Sequence, residues 1–271
     1  MRPTLVNPAA GRAPLGVREL WDYRELLYFL VWRDVKVRYK QTALGVAWAV
    51  LQPLLAMFVF SLFFGRLAGM DSEGLPYPVF TLAALVPWSF FVFGLTEGAN
   101  SLVVHRQLVT KVYFPRLAIP LAPVLAALAD LAIAFVLLLL VMGWYGILPA
   151  PRSAAVVVFV ALAFATALGA ALWLAALNVR YRDVRYVLPF LSQLWLFATP
   201  VVYPSSLVPA PWHALYGLNP MVGVVDGFRW ALLGVEIDAA TIGVSWLAAL
   251  ALAAGGAAYF RRTERTFADV V

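Results

Sequence analysis

Six stretches of this chain run for about twenty residues or more with almost no Asp, Glu, Lys or Arg. They are 41–65, 74–96, 117–144 (broken only by Asp130), 153–179, 186–225 and 239–260. About 20 apolar residues at 1.5 Å each cross the roughly 30 Å hydrocarbon layer of a bilayer. Such runs exceed what a soluble core helix uses. Hydrophobic residues make up 63% of the 271 and charged residues only 13%, with mean hydropathy +0.86. That is about half the charge with which a soluble domain covers its surface. The expected fold is an all-α integral membrane protein.

The fifth run is too long for one crossing. As a single helix its forty residues (186–225) would reach about 60 Å, twice the hydrocarbon thickness. Pro200, Pro204, Pro209, Pro211 and Pro220 divide it, because proline removes a backbone donor and clashes with the preceding turn. The reading is one span, 186–203, followed by a re-entrant or interfacial helical pair within 204–235, near 207–218 and 221–233. Irregular backbone of that kind is tolerated where protein covers it. The six expected spans are therefore about 44–66, 76–96, 117–143, 153–179, 186–203 and 239–260.

Charge orients this arrangement. Arg2, Arg12, Arg18, Arg24, Arg33, Lys36, Arg38 and Lys40 precede the first span. Arg106, Lys111 and Arg116 follow the second; Arg180, Arg182 and Arg185 follow the fourth; Arg261, Arg262 and Arg265 follow the last. With six spans, seventeen of the twenty Lys and Arg residues share one side. The other keeps Arg66, Arg152 and Arg229 beside Asp71, Glu73, Asp226, Glu236 and Asp238. The positive-inside bias makes the basic side cytoplasmic, with both chain ends there. A seventh span would put the tail arginines outside. The net charge of +6 then reflects juxtamembrane loops facing anionic lipid rather than nucleic acid.

Several chemistries are excluded or disfavoured. There is no cysteine, and the two histidines, His105 and His213, lie far apart, so no metal site is expected. No phosphate loop, G-x-S-x-G elbow or H-E-x-x-H pair occurs. The first forty residues contain no signal-peptide pattern, so none is expected. Residues 1–17 read as a mobile tail and 261–271 as a cytoplasmic tail.

Residues 18–40 carry polar side chains at 18, 22, 25, 33, 36 and 40, with Trp21 and Trp32 available for headgroup depth. This pattern predicts an amphipathic helix in the cytoplasmic interface, serving as anchor, gate or docking surface. Between spans two and three, 100–112 reads as a short amphipathic helix capped by Asn100 or Ser101. Either it is a solvated linker or it fits a groove on a partner. Asp130 lies mid-span, where an ionisable group costs about 3 kcal/mol or more. A hydrogen-bonded helix contact is preferred there over a substrate or proton site, since no second charge is expected at similar depth. Asn178 is placed to cap span four. Arg180, Arg182 and Asp183 form a charge cluster or merely set topology, and Asn219-Pro220 marks a turn.

Four segments in order carry a family resemblance: Arg38-Tyr-Lys-Gln-Thr-Ala-Leu-Gly-Val-Ala-Trp-Ala-Val-Leu-Gln-Pro53, Lys111-Val-Tyr-Phe-Pro-Arg116, Leu177-Asn-Val-Arg-Tyr-Arg-Asp183 and Leu218-Asn-Pro-Met221. From about Leu20 onward the chain resembles the ABC-2 type membrane subunits of bacterial polysaccharide exporters, which move O-antigen, teichoic acid and related lipid-linked glycans. The resemblance implies a homodimeric permease with two separate ATPase subunits that use ATP and Mg, this chain binding no cofactor. It makes 100–112 the coupling helix, with Val103, Val104, His105, Arg106, Gln107, Leu108 and Lys111 at the ATPase. It makes 18–40 a cytoplasmic gate carrying Tyr23, Leu27, Leu30, Arg33 and Arg38, and 204–235 a periplasmic gate. It also implies a glycan channel, for which Phe58, Trp88, Phe91, Phe190, Trp195 and Tyr203 are the candidate lining. The rivals are a drug or lipid exporter of the same type, a membrane enzyme acting on polyprenyl lipids, and a proton-coupled carrier.

Overall fold

In an apolar solvent backbone N–H and C=O groups have no partner but each other, so uncharged runs fold as helices. A computed structural model describes residues 17–40, 45–111, 114–181, 183–264 and 267. Residues 1–16 of the expected tail 1–17, the start of the first run at 41–44, residue 112 of the expected helix 100–112, Arg182, and residues 265–266 and 268–271 of the expected final tail lie outside them. Among the described residues there are helices and turns but no strand.

Two helices precede the first span: α1 (Val17–Asp22) and α2 (Arg24–Lys40), joined at Tyr23. α3 (Gly45–Phe60) continues as a π-helix over Ser61–Leu67. Next come α4 (Tyr77–Val104), α5 (Arg106–Lys111) and α6 (Ala118–Trp144). α7 (Val156–Arg180) follows a 3-10 turn at Pro151–Ala155, and α8 (Val184–Phe197) follows α7. Short turns lead to α9 (His213–Tyr216), α10 (Pro220–Leu233) and α11 (Ala239–Thr263).

Five helices are long and apolar enough to cross a membrane: Ala47–Leu67, Tyr77–Val104, Ala118–Trp144, Pro151–Arg180 and Ala239–Thr263. α4 is the most buried of them and the Ala47–Leu67 helix the least. Small residues allow the close approach. A Cβ on Gly98 of α4 would stand 2.7 Å from the Cβ of Ala171 on α7, and one on Gly256 of α11 only 2.4 Å from the carbonyl oxygen of Gly169.

The expected fifth span differs. Only Val184–Phe197 is α-helical, 14 residues or about 21 Å, and residues 198–203 finish as turns ahead of Pro204. The course of this segment is set by its neighbours. Asn178 near the end of α7 donates to Ala99 and Asn100 near the end of α4. Tyr77, the first residue of α4, donates to the carbonyl of Val202. Residues 184–203 thus run from one end of α4 to the other.

The bundle has a basic end, where Arg116 of the α5–α6 loop donates to the carbonyl of Glu264 just past α11. Its opposite, acidic end carries Glu73, Asp226 and Asp238. Segment 204–234 begins and ends at the acidic end. Ser206 donates to Glu73, and Gly234, at φ +84, abuts Arg152. Its middle lies deeper, with Gly223 against Ser245 and Leu162. α10 is buried along most of its length.

The expected helix at 100–112 is also revised. α4 runs unbroken to Val104, so Asn100 and Ser101 sit inside it and bond back to Thr96 and Gly98 rather than capping a new helix. The chain breaks at His105, whose Nδ1 pairs with the Ser101 carbonyl, and restarts as the six-residue α5. Asn178 likewise does not cap α7, which continues to Arg180.

Candidate functional site

α2 packs through Leu26, Leu27, Leu30 and Val31 onto an apolar cluster at the basic end that includes Leu102, Phe114, Ala118 and Ile119. The outward side is mixed, since Tyr28, Phe29 and Trp32 are exposed on it together with Lys40. Arg33 is held by the neighbouring Asp34, at 2.8 Å, and Tyr23 lies at the α1–α2 joint.

From that cluster α2 leans inward. Its last turn brings Arg38 into an ion pair with Asp130 of α6, to which the Tyr39 hydroxyl also donates. The guanidinium of Arg38 lies 3.6 Å from the ring centroid of Phe93 on α4, an arrangement that favours a cation. Asp130 stands near the middle of α6. The mid-span carboxylate therefore joins two helices.

These groups line a cavity of about 1020 Å³ walled by α2, α3, α4, α6 and Leu196 of α8. That is at the upper end of ordinary ligand pockets. Trp48, Gln52, Ser89 and Glu97 all stand exposed on its wall. The expectation of a lone charge at this depth is corrected by Arg38, which α2 carries to Asp130, and the same cavity also holds Glu97. Glu97 falls one residue past the uncharged run, but α4 continues helically to Val104 and carries it along the same wall. Polar side chains at membrane depth normally face protein or a wet path.

The aromatic candidates divide. Trp88 lines the cavity. Phe91 does not: it is fully buried, with ring contacts to Trp88 at 5.4 Å and Trp195 at 4.8 Å. Trp195 is half-buried and donates to Asn219, and Tyr203 bonds the Phe197 carbonyl and Tyr216. Phe91 and Trp195 pack against each other, Tyr203 is tied in by its hydrogen bonds, and none of the three lines this cavity. Phe58 on α3 and Phe190 on α8 point away from the chain, 64% and 63% exposed. α-Helical neighbours such as Phe90 and Phe91 point about 100° apart, so composition alone does not choose between their faces.

Around the segment expected to meet an ATPase, Val104 is 70% exposed at the elbow, with Val103 half-buried and His105 beside it. Arg106 and Gln107 stand exposed on α5, Leu108 packs on the basic-end cluster, and Lys111 closes the helix. Valine, arginine and glutamine together present a mixed apolar and cationic edge suited to a protein groove.

At the acidic end two residues organise the chain: Asn219, which caps α10 at the turn expected for Asn219-Pro220, and Arg229, whose role the sequence does not show. Arg229 is 1% exposed; it donates to the carbonyls of Phe80, Val201 and Tyr203 and lies 3.4 Å from the Phe80 ring centroid. Asn219 donates to Ala198 and Thr199 and accepts from Trp195 and Met221. Both tie the exit of α8 to α10. Ser205 donates to Asp226, whose carboxyl is pushed up to about 6 by desolvation. A second cavity of about 600 Å³ lies here. Among the described residues no group of three or more His, Asp or Glu could hold a metal ion.

Known proteins share this chain's pattern over most of its length. The O-antigen export system permease protein RfbA of Myxococcus xanthus is 36% identical over 217 residues, 79% of this chain and 82% of the relative. A Klebsiella pneumoniae protein of the same name is 23% identical over 91% of this chain and 95% of its own. The polysialic acid transport protein KpsM of Escherichia coli is 24% identical over 74% and 78%. The family model for ABC-2 type transporters matches residues 25–233. With its several long apolar helices, this multi-pass membrane protein belongs to the ABC-2 type transporter family.

Proposed function

We propose that this chain is the permease subunit of an ATP-driven exporter that moves a lipid-linked polysaccharide across the bacterial cytoplasmic membrane. Relatives named for O-antigen and polysialic acid export support the substrate class. The observation that carries the pathway is the cavity of about 1020 Å³ at mid-depth, whose exposed Gln52, Ser89 and Glu97 suit sugar hydroxyls and whose Trp48 suits the C–H face of a sugar ring. Two copies would complete a route that one chain leaves open, with two ATPase subunits beneath supplying ATP and Mg chemistry. This chain acts as a transport subunit and binds no cofactor of its own.

The course of residues 184–203 between the two ends of α4 supports a sixth crossing, and with it cytoplasmic placement of both chain ends beside the basic loops. Segment 204–235 then acts as a re-entrant outer element, α2 closes the cytoplasmic mouth, and α5 with the elbow at Val104–His105 receives the ATPase. Co-purification of the chain with an ATP-binding subunit, followed by mass spectrometry of the bound lipid-linked sugar, tests the reading. Arg106→Glu with Val104→Asp is expected to abolish glycan-stimulated ATP hydrolysis without loss of folded protein. Normal coupling in that double variant, or lipid turnover by the chain alone, overturns it. A drug or lipid exporter is favoured by the same mid-depth cavity only if the bound molecule proves to be small and apolar.

A further inference from the structure

Arg38 stands between two carboxylates on two different helices. Asp130 of α6 holds it, while the Phe93 ring of α4 lies beneath it. Glu97 is four residues beyond Phe93 on α4, so the two occupy successive turns of one helix face, and Glu97 lines the same cavity. Glu97 is also nearer than Phe93 to the basic end, because α4 ends there. One helical turn, about 5.4 Å, separates the ring under Arg38 from the next carboxylate.

The surroundings permit such a step. The side chains of Arg38 and Asp130 are 27% and 23% exposed, so exchange of partners takes place in a partly wet cavity rather than a sealed core, where loss of a partner is most costly. The rest of α2 rests on α6 and the basic-end cluster through Leu26, Leu27, Leu30 and Val31. These contacts are apolar and non-directional, and helices packed this way shift by whole turns in known transitions.

We propose that Arg38 is the positioning residue of a two-seat latch: paired with Asp130 it holds α2 across the mouth of the cavity, and paired with Glu97 it holds α2 one turn back, with the mouth open. This deepens the export reading above and rests on its assignment of α2 to the cytoplasmic mouth. Asp130 is the closing seat and Glu97 the opening seat.

The test reads the two seats separately. The full chain is reconstituted in vesicles and the leak of a small trapped dye is measured without glycan or ATPase. Asp130→Asn is expected to raise the leak at least tenfold, and the exchange Arg38→Asp with Asp130→Arg to bring it back near the wild-type level. In the complete exporter, Glu97→Gln is expected to cut ATP-driven glycan export at least tenfold while the leak stays low. A sealed Asp130→Asn chain, an exchange that stays leaky, or normal export by Glu97→Gln overturns the latch. Glu97 stands exposed on the wall, so its variant tests the idea even if an Asp130 variant fails to fold. A wild-type complex that exports no glycan defeats the export reading but leaves the leak result standing, so the two failures are distinguishable.

Discussion

At the acidic end, Arg229, Asn219, Ser205 and Ser206 direct their hydrogen bonds to other parts of the chain, whereas Gln52, Ser89 and Glu97 at mid-depth stand exposed on a cavity wall. Both regions place polar groups where lipid would penalise them. In the first the groups bond to carbonyls, carboxylates and side chains of the same chain and pin the exit of α8 to α10 and α4. In the second the Arg38–Asp130–Tyr39 contact crosses between helices, and the remaining wall offers donors and acceptors to whatever enters. Substitutions at the acidic end should therefore register as stability, and those on the cavity wall as transport.

The largest effect is expected from Arg229→Leu. It leaves the carbonyls of Phe80, Val201 and Tyr203 without their buried donor. Hydrogen bonds to charged groups are worth about 1.5–3 kcal/mol each, and orphaned buried acceptors add their desolvation cost. A loss of about 3 kcal/mol or more, read as a collapse of the detergent-solubilised melting temperature, is the expected result. A melting temperature indistinguishable from wild type would show that the three carbonyls do not depend on Arg229. Asn219→Ala should come next at about 2 kcal/mol, since it removes neutral bonds on both sides of the α8–α10 junction.

A smaller effect concerns pH. Desolvation is the main cause that raises the Asp226 carboxyl from 3.8 to about 6; Glu73 pushes in the same direction, while the Ser205 bond, Arg229 and His213 oppose it. A folded-state value above the unfolded one means that the neutral form is favoured on folding. The contribution is fully present below about pH 4 and is lost as pH rises through about 6. Across that window Asp226 should lower the melting temperature as pH rises, and Asp226→Asn should flatten the slope. An unchanged slope would remove Asp226 from the set of groups that tie this end to pH.

Much of this contrast is legible in the residue order, though unevenly. Absence of charge locates five long helices to within a few residues at most of their ends. Proline placement separates residues 186–203 from the segment beyond Pro204, but cannot show that α8 stops at Phe197. Glu97 escapes a count of charge-free residues, because the count ends where the charge stands, not where the helix ends. Asn100, Ser101 and Asn178 read as caps, yet each sits inside a helix and bonds along it or across to a neighbour. Arg229 is legible only by its sign, because its acceptors lie as far as 149 positions away.

The smallest effect on stability is expected where the effect on transport is large. Gln52 on α3 is exposed on the cavity wall at membrane depth, beside Trp48 and Pro53. If that wall faced lipid, Gln52→Leu would replace a poorly solvated amide with an apolar side chain; stability would hold or rise and transport would be indifferent. If the wall lines a wet path for a hydroxyl-rich polymer, the same change removes a donor and an acceptor from the path while leaving the packing of α4, α6 and α7 untouched. The expected outcome is a stability within about 0.5 kcal/mol of wild type, as for surface substitutions generally, with glycan export lowered several-fold. Equal export in the two proteins would place Gln52 against lipid and shrink the functional wall to Ser89, Glu97 and the Arg38–Asp130 pair.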